Sequence, residues 1–220
     1  MLALFSVRVR KGDTRGEVKT MKSKLFLGAA LAVITLLSGV SSQFAMAAGS
    51  ELVVADFNTG DKPSNIGGDF GAWNKDASDE TQGTSTSFVS DDALGDPSGY
   101  AIRLDYDVDS PNPAYNGFWM KLGNTDATAY NTLTFYVKGD SKAGFTKRVK
   151  IELKDKSGKP CSYVVSNVTS EWQKVSIPFE KFRRITDWTA LTELVVVFDD
   201  VNSRPKKGTI FIDQFAFTRE

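Results

Sequence analysis

The stretch YAIRLDYDV, residues Tyr100–Val108, alternates apolar and polar side chains along its whole length. Ile102 and Leu104 fall on one side, whereas Arg103 and Asp105 fall on the other. Successive side chains of a β-strand point to opposite faces of its sheet, so a period of two is typical of a strand with one buried face. The stretch therefore predicts a half-buried strand.

The same period recurs outward from this stretch, and turn residues such as Asp155-Lys156-Ser157-Gly158 separate the alternating segments. No window sustains a helical period, apart from a possible single turn within Lys181–Leu191. The Gly-rich, polar segment 61–87 is predicted to be a long loop that covers one end of the fold and could hold binding residues. Many short strands at regular spacing predict an all-β fold, an antiparallel two-sheet sandwich or a barrel. The predicted strands are Leu52–Phe57, Ser85–Val89, Tyr100–Val108, Tyr115–Leu122, Thr132–Lys138, Arg148–Lys154, Cys161–Ser166, Gln173–Ile177, Glu193–Phe198 and Thr209–Phe217.

The first 47 residues differ in composition from the rest of the chain. Met21–Ala47 combines a basic start, a short apolar run and a closing Ala45-Met46-Ala47, which predicts a signal peptide cleaved near Ala47. The apolar run is shorter than the ~20 residues that a membrane span needs. Residues 1–20 are interpreted as a leader or as a segment upstream of the true start. We therefore expect one exported domain, residues 48–220, in the periplasm or outside the cell.

The composition of that domain excludes several functions. Residues 48–220 carry 20 basic and 25 acidic side chains, a net charge of −5, which disfavours nucleic acid because its binding depends on neutralising phosphates. The chain has no histidine, so Ser–His triads, Cys–His pairs and most zinc sites are excluded. Its single cysteine, Cys161, cannot form an intramolecular disulfide and is predicted to be a buried thiol.

Large aromatic and charged side chains fall on the polar sides of several predicted strands. Flat rings can stack on the C–H patches of a sugar, while carboxylates and guanidinium groups hold its hydroxyls. The alternative is that the acidic residues at 105–109 form salt bridges with a basic strand at 148–154, and that the rings pack under loops. The alternation is ambiguous at Tyr163. The candidate ligand-binding residues are Arg103, Asp105, Asp107, Tyr115, Trp119, Tyr136, Arg148, Glu152 and Tyr163.

Six stretches follow one another in an order that is informative as a set. They are VADFN at 54–58, IGGDFGAW at 66–73, YAIRLDY at 100–106, LTFYVKG at 133–139, WQKVSIPF at 172–179 and GTIFID at 208–213. This order resembles the galactose-binding-like jelly rolls, most closely the family-11-type carbohydrate-binding modules, together with the related complex-I-assembly-factor domains. The resemblance covers nearly all of residues 51–218.

The resemblance implies a two-sheet jelly roll, a concave face that binds glycans and often one structural calcium ion. In such folds the first and last strands lie together and their acidic residues commonly hold the ion. Asp56 and Asp213 stand at those positions, with Asn58 as a weaker candidate, and backbone carbonyls must supply most of the six to eight oxygens that calcium needs. The alternative is that Asp56 caps a turn and Asp213 pairs with a lysine.

Three functions are compatible with these features. The first is non-catalytic binding of a polysaccharide or oligosaccharide. The second is an envelope protein-binding or assembly factor on the same fold. Carbohydrate-binding modules are usually attached to an enzyme, and this chain has no room for one, which keeps this alternative open. The third is a small jelly-roll glycoside hydrolase or lyase, which needs only two carboxylates flanking the scissile bond. We expect the first, with no enzymatic activity and no membrane span after cleavage.

Overall fold

Eleven strands and one short 3-10 turn, Phe179–Lys181, make up the regular structure of residues 50–90, 94–95 and 98–220, the part of the chain that the computed structural model describes. The predictions for residues 1–20 and 21–47 lie outside this part. The strands are β1 (Glu51–Ala55), β2 (Phe70–Asn74), β3 (Gly83–Val89), β4 (Ala101–Asp107), β5 (Tyr115–Thr125), β6 (Thr132–Gly139), β7 (Arg148–Asp155), β8 (Pro160–Ser166), β9 (Gln173–Pro178), β10 (Leu191–Asp199) and β11 (Lys207–Thr218).

The strands form two antiparallel sheets. One has five strands in the order β2-β5-β10-β7-β8. The other has six, in the order β3-β4-β11-β6-β9 with β1 added beside β11. The long β11 pairs with β4 through its first half and with β1 through its second half. β4 and β1 therefore follow one another along one edge of β11. The prediction of an all-β, antiparallel two-sheet sandwich of the jelly-roll type is confirmed.

The core lies between the sheets, where the apolar rows of the alternating strands meet. Phe57 is at the centre of a phenylalanine cluster, with ring centroids 5.7 Å from Phe70, 6.3 Å from Phe118 and 6.4 Å from Phe215. Each of these rings is almost fully buried, and burying such a side chain contributes about 1.5–3 kcal/mol. Cys161 is buried as predicted, and its Sγ accepts the Arg184 N–H.

One segment differs from the sequence-based expectation. All ten predicted strands overlap observed ones, but segment 61–87, predicted as a single loop, contains β2 and the start of β3. The sequence of β2, FGAWN, is too short and too rich in small residues to show a period of two. The pairing of β2 with β5 stabilises this strand, although the sequence of β2 shows no alternation of its own. Among the described residues, no helix reaches the length and apolarity that crossing a bilayer requires.

Candidate functional site

A groove of about 460 Å³ crosses the outer face of the five-stranded sheet. The register brings its central row together, because Gly71, Trp119, Val195 and Glu152 are successive cross-strand partners on β2, β5, β10 and β7. Its residues come from all five strands of the sheet and from the β7–β8 turn. They are Trp73, Tyr115, Trp119, Lys121, Glu152, Lys154, Gly158, Pro160, Glu193 and Val195.

Two glycines on the strands beneath the groove permit close approaches. A Cβ on Gly71 would lie 3.7–3.8 Å from three atoms of the Trp119 indole, so that ring covers the β2 backbone where a side chain would otherwise stand. Gly117 lies between Trp73 and Val197 in the next row, and a Cβ there would lie only 1.9 Å from the Val196 carbonyl oxygen. The lack of a side chain at Gly71 thus leaves the Trp119 ring lying against the sheet, and Gly117 lets β5 approach the β10 backbone closely.

Trp73 and Tyr115 form an aromatic wall along the groove, towards one end of it. Their rings meet edge to face with centroids 4.9 Å apart, an arrangement that aromatic pairs favour. The Trp73 indole N–H is buried and has no hydrogen-bond partner within the described structure. An unsatisfied buried donor is costly, so the aromatic wall contains a polar group that remains to be satisfied.

Glu152 supplies a carboxylate to the groove floor. Only 7% of the residue is exposed, and the Tyr115 hydroxyl donates a hydrogen bond of 3.2 Å to its Oε1. Burial is the largest cause raising the pKa of Tyr115, and the negative charge of Glu152 raises it further, so the phenol stays protonated and donating. A carboxylate accepts more than one hydrogen bond, so Glu152 retains acceptor capacity for a ligand.

A chain of three charges crosses the other end of the groove. Glu193 on β10 lies between Lys121 of β5 and Lys154 of β7, and it accepts a hydrogen bond from each ammonium group. Burial by itself would raise the pKa of Glu193, but the hydrogen bonds from the two lysines outweigh it and lower the pKa. Glu193 is therefore ionised at neutral pH.

A second ion pair supports the aromatic wall. Lys150 lies 2.8 Å from Asp199 and also 4.9 Å from the centroid of the Tyr115 ring. Asn202 donates to both oxygens of Asp199. Burial favours the protonated form of Asp199, yet the Lys150 and Asn202 hydrogen bonds lower its pKa overall. Because this network is complete within the protein, it positions Tyr115 rather than offering free groups.

The groove brings together three of the nine candidate residues, namely Tyr115, Trp119 and Glu152. Arg148 lies at the exposed start of β7 on the same sheet but does not line the groove. Tyr163, where the alternation was ambiguous, packs against the core from β8.

The remaining four candidates lie on the other sheet, so the prediction of one shared binding face is wrong in this respect. Arg103, Asp105 and Asp107 are on β4, and Tyr136 is on β6. Period two tells which side of a strand faces solvent, but it cannot tell which sheet a strand joins.

The expected salt bridges between β4 and the basic strand at 148–154 are also absent, because these strands are in different sheets. Asp105 instead binds Arg103 two residues earlier on its own strand, at 2.8 Å. Asp107 pairs with Lys207 of β11 at 3.0 Å. The acidic residues of β4 are therefore neutralised within the six-stranded sheet.

Sequence reasoning missed Trp73, Lys121, Lys154 and Glu193. Trp73 was part of the IGGDFGAW stretch that carried the family resemblance, but the surrounding segment was assigned to a loop. The signal available in the sequence was an aromatic residue, Trp73, two positions after a glycine, Gly71, on a short strand. The charged trio gave no signal, because its members come from three different strands.

The two calcium candidates lie near each other in the register. Ala55 of β1 pairs with Phe215 of β11, so Asp56 follows and Asp213 precedes this pair. Asp56 accepts hydrogen bonds from the Asn58 N–H and the Asn65 amide. Asp213 is fully buried and accepts the Gln214 N–H at 2.7 Å.

Throughout the part of the chain with described coordinates, no group of three or more His, Cys, Asp or Glu side chains is arranged to hold a metal. A calcium ion bound by Asp56 and Asp213 would therefore depend on backbone carbonyls for most of its ligands.

A family model described as carbohydrate binding domain 30 matches residues 64–219. The chain belongs to this family. The match spans every residue that lines the groove, from Trp73 to Val195. The chain is thus a non-catalytic carbohydrate-binding domain, and the expected resemblance to carbohydrate-binding jelly rolls is confirmed. A comparison with curated proteins finds no significant match.

Solved structures agree with the fold of this carbohydrate-binding domain. The family 11 carbohydrate-binding module of the cellulosomal cellulase Lic26A-Cel5E of Clostridium thermocellum is 19% identical, with a TM-score of 0.56 over 77% of this chain and 95% of the module. The family 11 module from Clostridium thermocellum in complex with a β-1,3-1,4-mixed-linked tetrasaccharide gives 0.55, with the same identity and coverage. An exo-β-agarase gives 0.57 at 12% identity, over 76% of this chain and 25% of the agarase.

Proposed function

We propose that the groove of the five-stranded sheet binds an internal stretch of a β-linked glucan chain. The observation that carries this proposal is the set of three rings, Trp73, Tyr115 and Trp119, lining an open groove on a sheet face. A groove that stays open along the strands accommodates a continuing polymer, whereas a closed pocket admits only a chain end.

The chemistry of the lining fits a sugar. The Trp119 ring covers the β2 backbone and can stack against the C–H face of a pyranose ring. Glu152 is held by Tyr115 and retains acceptor sites for hydroxyl groups. The Trp73 N–H has no partner and can donate to a ligand oxygen after a small side-chain adjustment. Stacking, one acceptor and one donor are the elements that orient a neutral sugar.

The choice of glucan draws on the structural likeness. The family 11 module of comparable fold is described in complex with a β-1,3-1,4-mixed-linked tetrasaccharide. At 19% identity that likeness concerns the fold, so the ligand of this chain is our proposal. Glu193 does not suit the role of general acid in hydrolysis, because a general acid needs a raised pKa and that of Glu193 is lowered by Lys121 and Lys154.

Affinity gel electrophoresis tests this proposal. Gels containing mixed-linkage β-glucan, hydroxyethylcellulose, xylan or galactan should retard the wild-type protein most strongly on a β-glucan. Glu152→Gln should weaken the retardation, while Glu171→Gln, which alters an exposed loop carboxylate, should leave it unchanged. Equal migration on every gel, together with capture of a single protein partner, would support the envelope-factor alternative instead.

Export is part of the same proposal, because a polysaccharide ligand lies outside the cytoplasm. The features of residues 21–47 support it. Expression of the full chain in a bacterial host with a Sec pathway should yield a periplasmic or secreted product whose first residue is at or near Ala48. Recovery of the uncleaved chain in the cytoplasm would contradict this part of the proposal.

A structural calcium ion near Asp56 and Asp213 is the last part of the proposal. The backbone of β11 is irregular between Asp213 and Ala216, and Phe57 and Gln214 both have positive φ values, 54° and 53°. Such irregular backbone frees carbonyl oxygens from the strand ladder. Calcium should raise the midpoint of thermal unfolding relative to the protein in EDTA, because a ligand of the native state stabilises it. An unchanged midpoint would contradict calcium binding.

A further inference from the structure

The groove does not end at Trp119. A second depression of about 520 Å³ continues it along β5 and β10, and the two share Lys121, Lys154, Gly158 and Glu193. We call the part that contains Trp73, Tyr115 and Trp119 the aromatic half, and the part beyond Trp119 the ionic half. The ionic half is lined by Lys121, Gly123, Asn124, Lys154, Gly158, Thr192 and Glu193.

The ionic half has room above its floor. Gly123 and Gly158 both have positive φ values, 62° and 69°, and a Cβ at either position would meet nothing within 4 Å. No aromatic side chain is among the described residues that line this half. A sugar unit placed here would therefore be held by polar and charged groups rather than by stacking.

The charges of the ionic half do not cancel. Lys121 and Lys154 provide two positive charges, whereas Glu193 provides one negative charge. The Glu193 side chain is 14% exposed, but that of Lys121 is 55% exposed, so the ammonium group is the more accessible. Each ammonium group has three N–H donors and donates one hydrogen bond to Glu193, so further donors remain for a ligand.

The charges around the ionic half leave this imbalance in place. Lys62 and Asp69 pair with each other at 2.7 Å beside the aromatic half, so they add no net charge. Glu152 in the aromatic half brings the whole groove to two cations and two anions, so the surplus of one positive charge is confined to the ionic half, whereas residues 48–220 together carry −5. One ligand anion between the two lysines would complete an arrangement of two cations and two anions.

We propose that the ionic half recognises a carboxylate-bearing sugar unit, a uronic acid or a glucosyl unit oxidised at C6, within a chain whose neutral units stack on the aromatic half. This inference rests on the proposed glycan binding and specifies the ligand class of the same groove. The ligand is therefore an acidic or partly oxidised β-linked polysaccharide. Charge-assisted hydrogen bonds from the two ammonium groups hold the carboxylate.

Isothermal titration calorimetry with a matched pair of ligands tests this inference. The probes are a mixed-linkage β-glucan and the same polymer partly oxidised at C6. The wild-type protein should bind the oxidised polymer about fivefold more tightly at low salt, as expected for one added charge contact of about 1 kcal/mol in a solvated groove. The preference should shrink in 0.5 M NaCl, because salt screens exposed charges.

Three variants separate the two halves. Lys121→Gln and Lys154→Gln should each reduce the ratio of the affinities for the oxidised and the neutral polymer, which isolates the contact with the carboxylate from other effects on glycan binding. Glu193→Gln should increase the preference, because it removes the competing anion. Lys142→Gln, at an exposed position in the β6–β7 connection, is the control and should change neither.

The outcomes are distinguishable. Equal affinity of the wild-type protein for both polymers would overturn the role of the ionic half and leave glycan binding intact. No binding of either polymer would instead overturn the proposed function itself. A preference for the oxidised polymer that survives in the Lys121→Gln/Lys154→Gln double variant would also overturn the inference, since those lysines are its basis. Retained binding of the neutral polymer shows that each variant is folded.

Discussion

The outer faces of the two sheets differ although both arise from the same alternating pattern. On the five-stranded sheet, Trp119 covers the Gly71 backbone and a groove opens around it. On the six-stranded sheet, Phe211 is only 8% exposed, with Lys138 and Arg103 lying 5.1 Å and 5.8 Å from its ring centroid. Trp119 also has two cations near its ring, Lys121 at 5.3 Å and Lys62 at 6.0 Å from the centroid. The difference is that Trp119 lines an open groove, whereas Phe211 is buried beneath its neighbours.

The charged groups show the same contrast. Asp105 accepts hydrogen bonds from Arg103 and Thr209, and Asp107 pairs with Lys207. Glu152, by comparison, is buried with a single partner, Tyr115, in a groove. Large polar and aromatic side chains on a solvent-exposed sheet face therefore indicate a binding site only when neighbouring residues leave their hydrogen-bonding groups or ring surfaces available to a ligand.

The largest effect should come from removing the half-buried Trp119 ring of the groove. Trp119→Ala should weaken binding to β-glucan about 30-fold or more, as for a central aromatic residue of an interface. Its matched control is Trp172→Ala, which removes the indole beside Lys138 on the six-stranded sheet and should leave binding unchanged. Affinity electrophoresis or calorimetry measures both. If the two variants bound equally, the comparison between the faces would fail.

The next effect concerns the turn that borders the groove. Asp155, buried at the end of β7, accepts N–H groups of Ser157, Thr186 and Asp187, which lower its pKa from the ordinary 3.8. Its folded pKa is depressed, so its stabilisation is complete above pH 4 and is lost as the pH falls below it. Asp155→Asn should lower the free energy of unfolding at pH 7 by about 2 kcal/mol.

Chemical denaturation at pH 7 and at pH 3 checks that prediction. The difference between wild type and Asp155→Asn should narrow at the lower pH, because the unfolded chain then takes up a proton at Asp155, whose ordinary pKa is 3.8, while the folded protein keeps the carboxylate ionised. A difference that stays constant over this range would show that the charge of Asp155 contributes nothing to the turn.

A smaller effect should follow from filling the space under Trp119. A Cβ at Gly71 would make ordinary contact, at 3.7 Å, with the indole, so Gly71→Ala should bind normally. Gly71→Val adds two methyl groups and should lift the ring, which costs about 1–2 kcal/mol or roughly tenfold in affinity. The pair of variants tests the glycine directly, since equal binding by both would show that the ring position does not depend on it.

The smallest effect should come from the charges of the six-stranded sheet. Arg103→Ala breaks a partly exposed ion pair with Asp105 and should lower the free energy of unfolding by less than about 1 kcal/mol. Glycan affinity should not change, because Arg103 lies on the opposite sheet from the groove. A clear loss of glycan binding in this variant would place a ligand on the six-stranded sheet as well.

The fold was accessible from the sequence for a local reason. Period-two alternation, as in Tyr100–Val108, depends only on neighbouring residues, and so does the turn chemistry between strands. The strand that escaped, β2, is the one whose sequence lacks alternation and whose structure depends on β5. Local patterns therefore predicted the strands whose own sequences alternate. They missed β2, which is stabilised by its pairing with β5.

The candidate site was accessible only in part. Tyr115, Trp119 and Glu152 were identified because each is a large or charged residue on the polar side of a strand. The same criterion selected Tyr136 and Asp107, which the other sheet carries. Alternation separates inside from outside but carries no information on which strands become neighbours, so the selection could not be narrowed further.

The sequence by itself determined that the chain forms short strands with one apolar row each, lacks the residues for histidine chemistry and presents rings on polar faces. The tertiary structure alone decided which rings share a surface, that Trp119 lies over Gly71, and that Lys121, Glu193 and Lys154 meet in one groove. The physical reason is that side-chain direction follows from local backbone geometry, whereas strand partners are chosen by contacts between residues far apart in the chain.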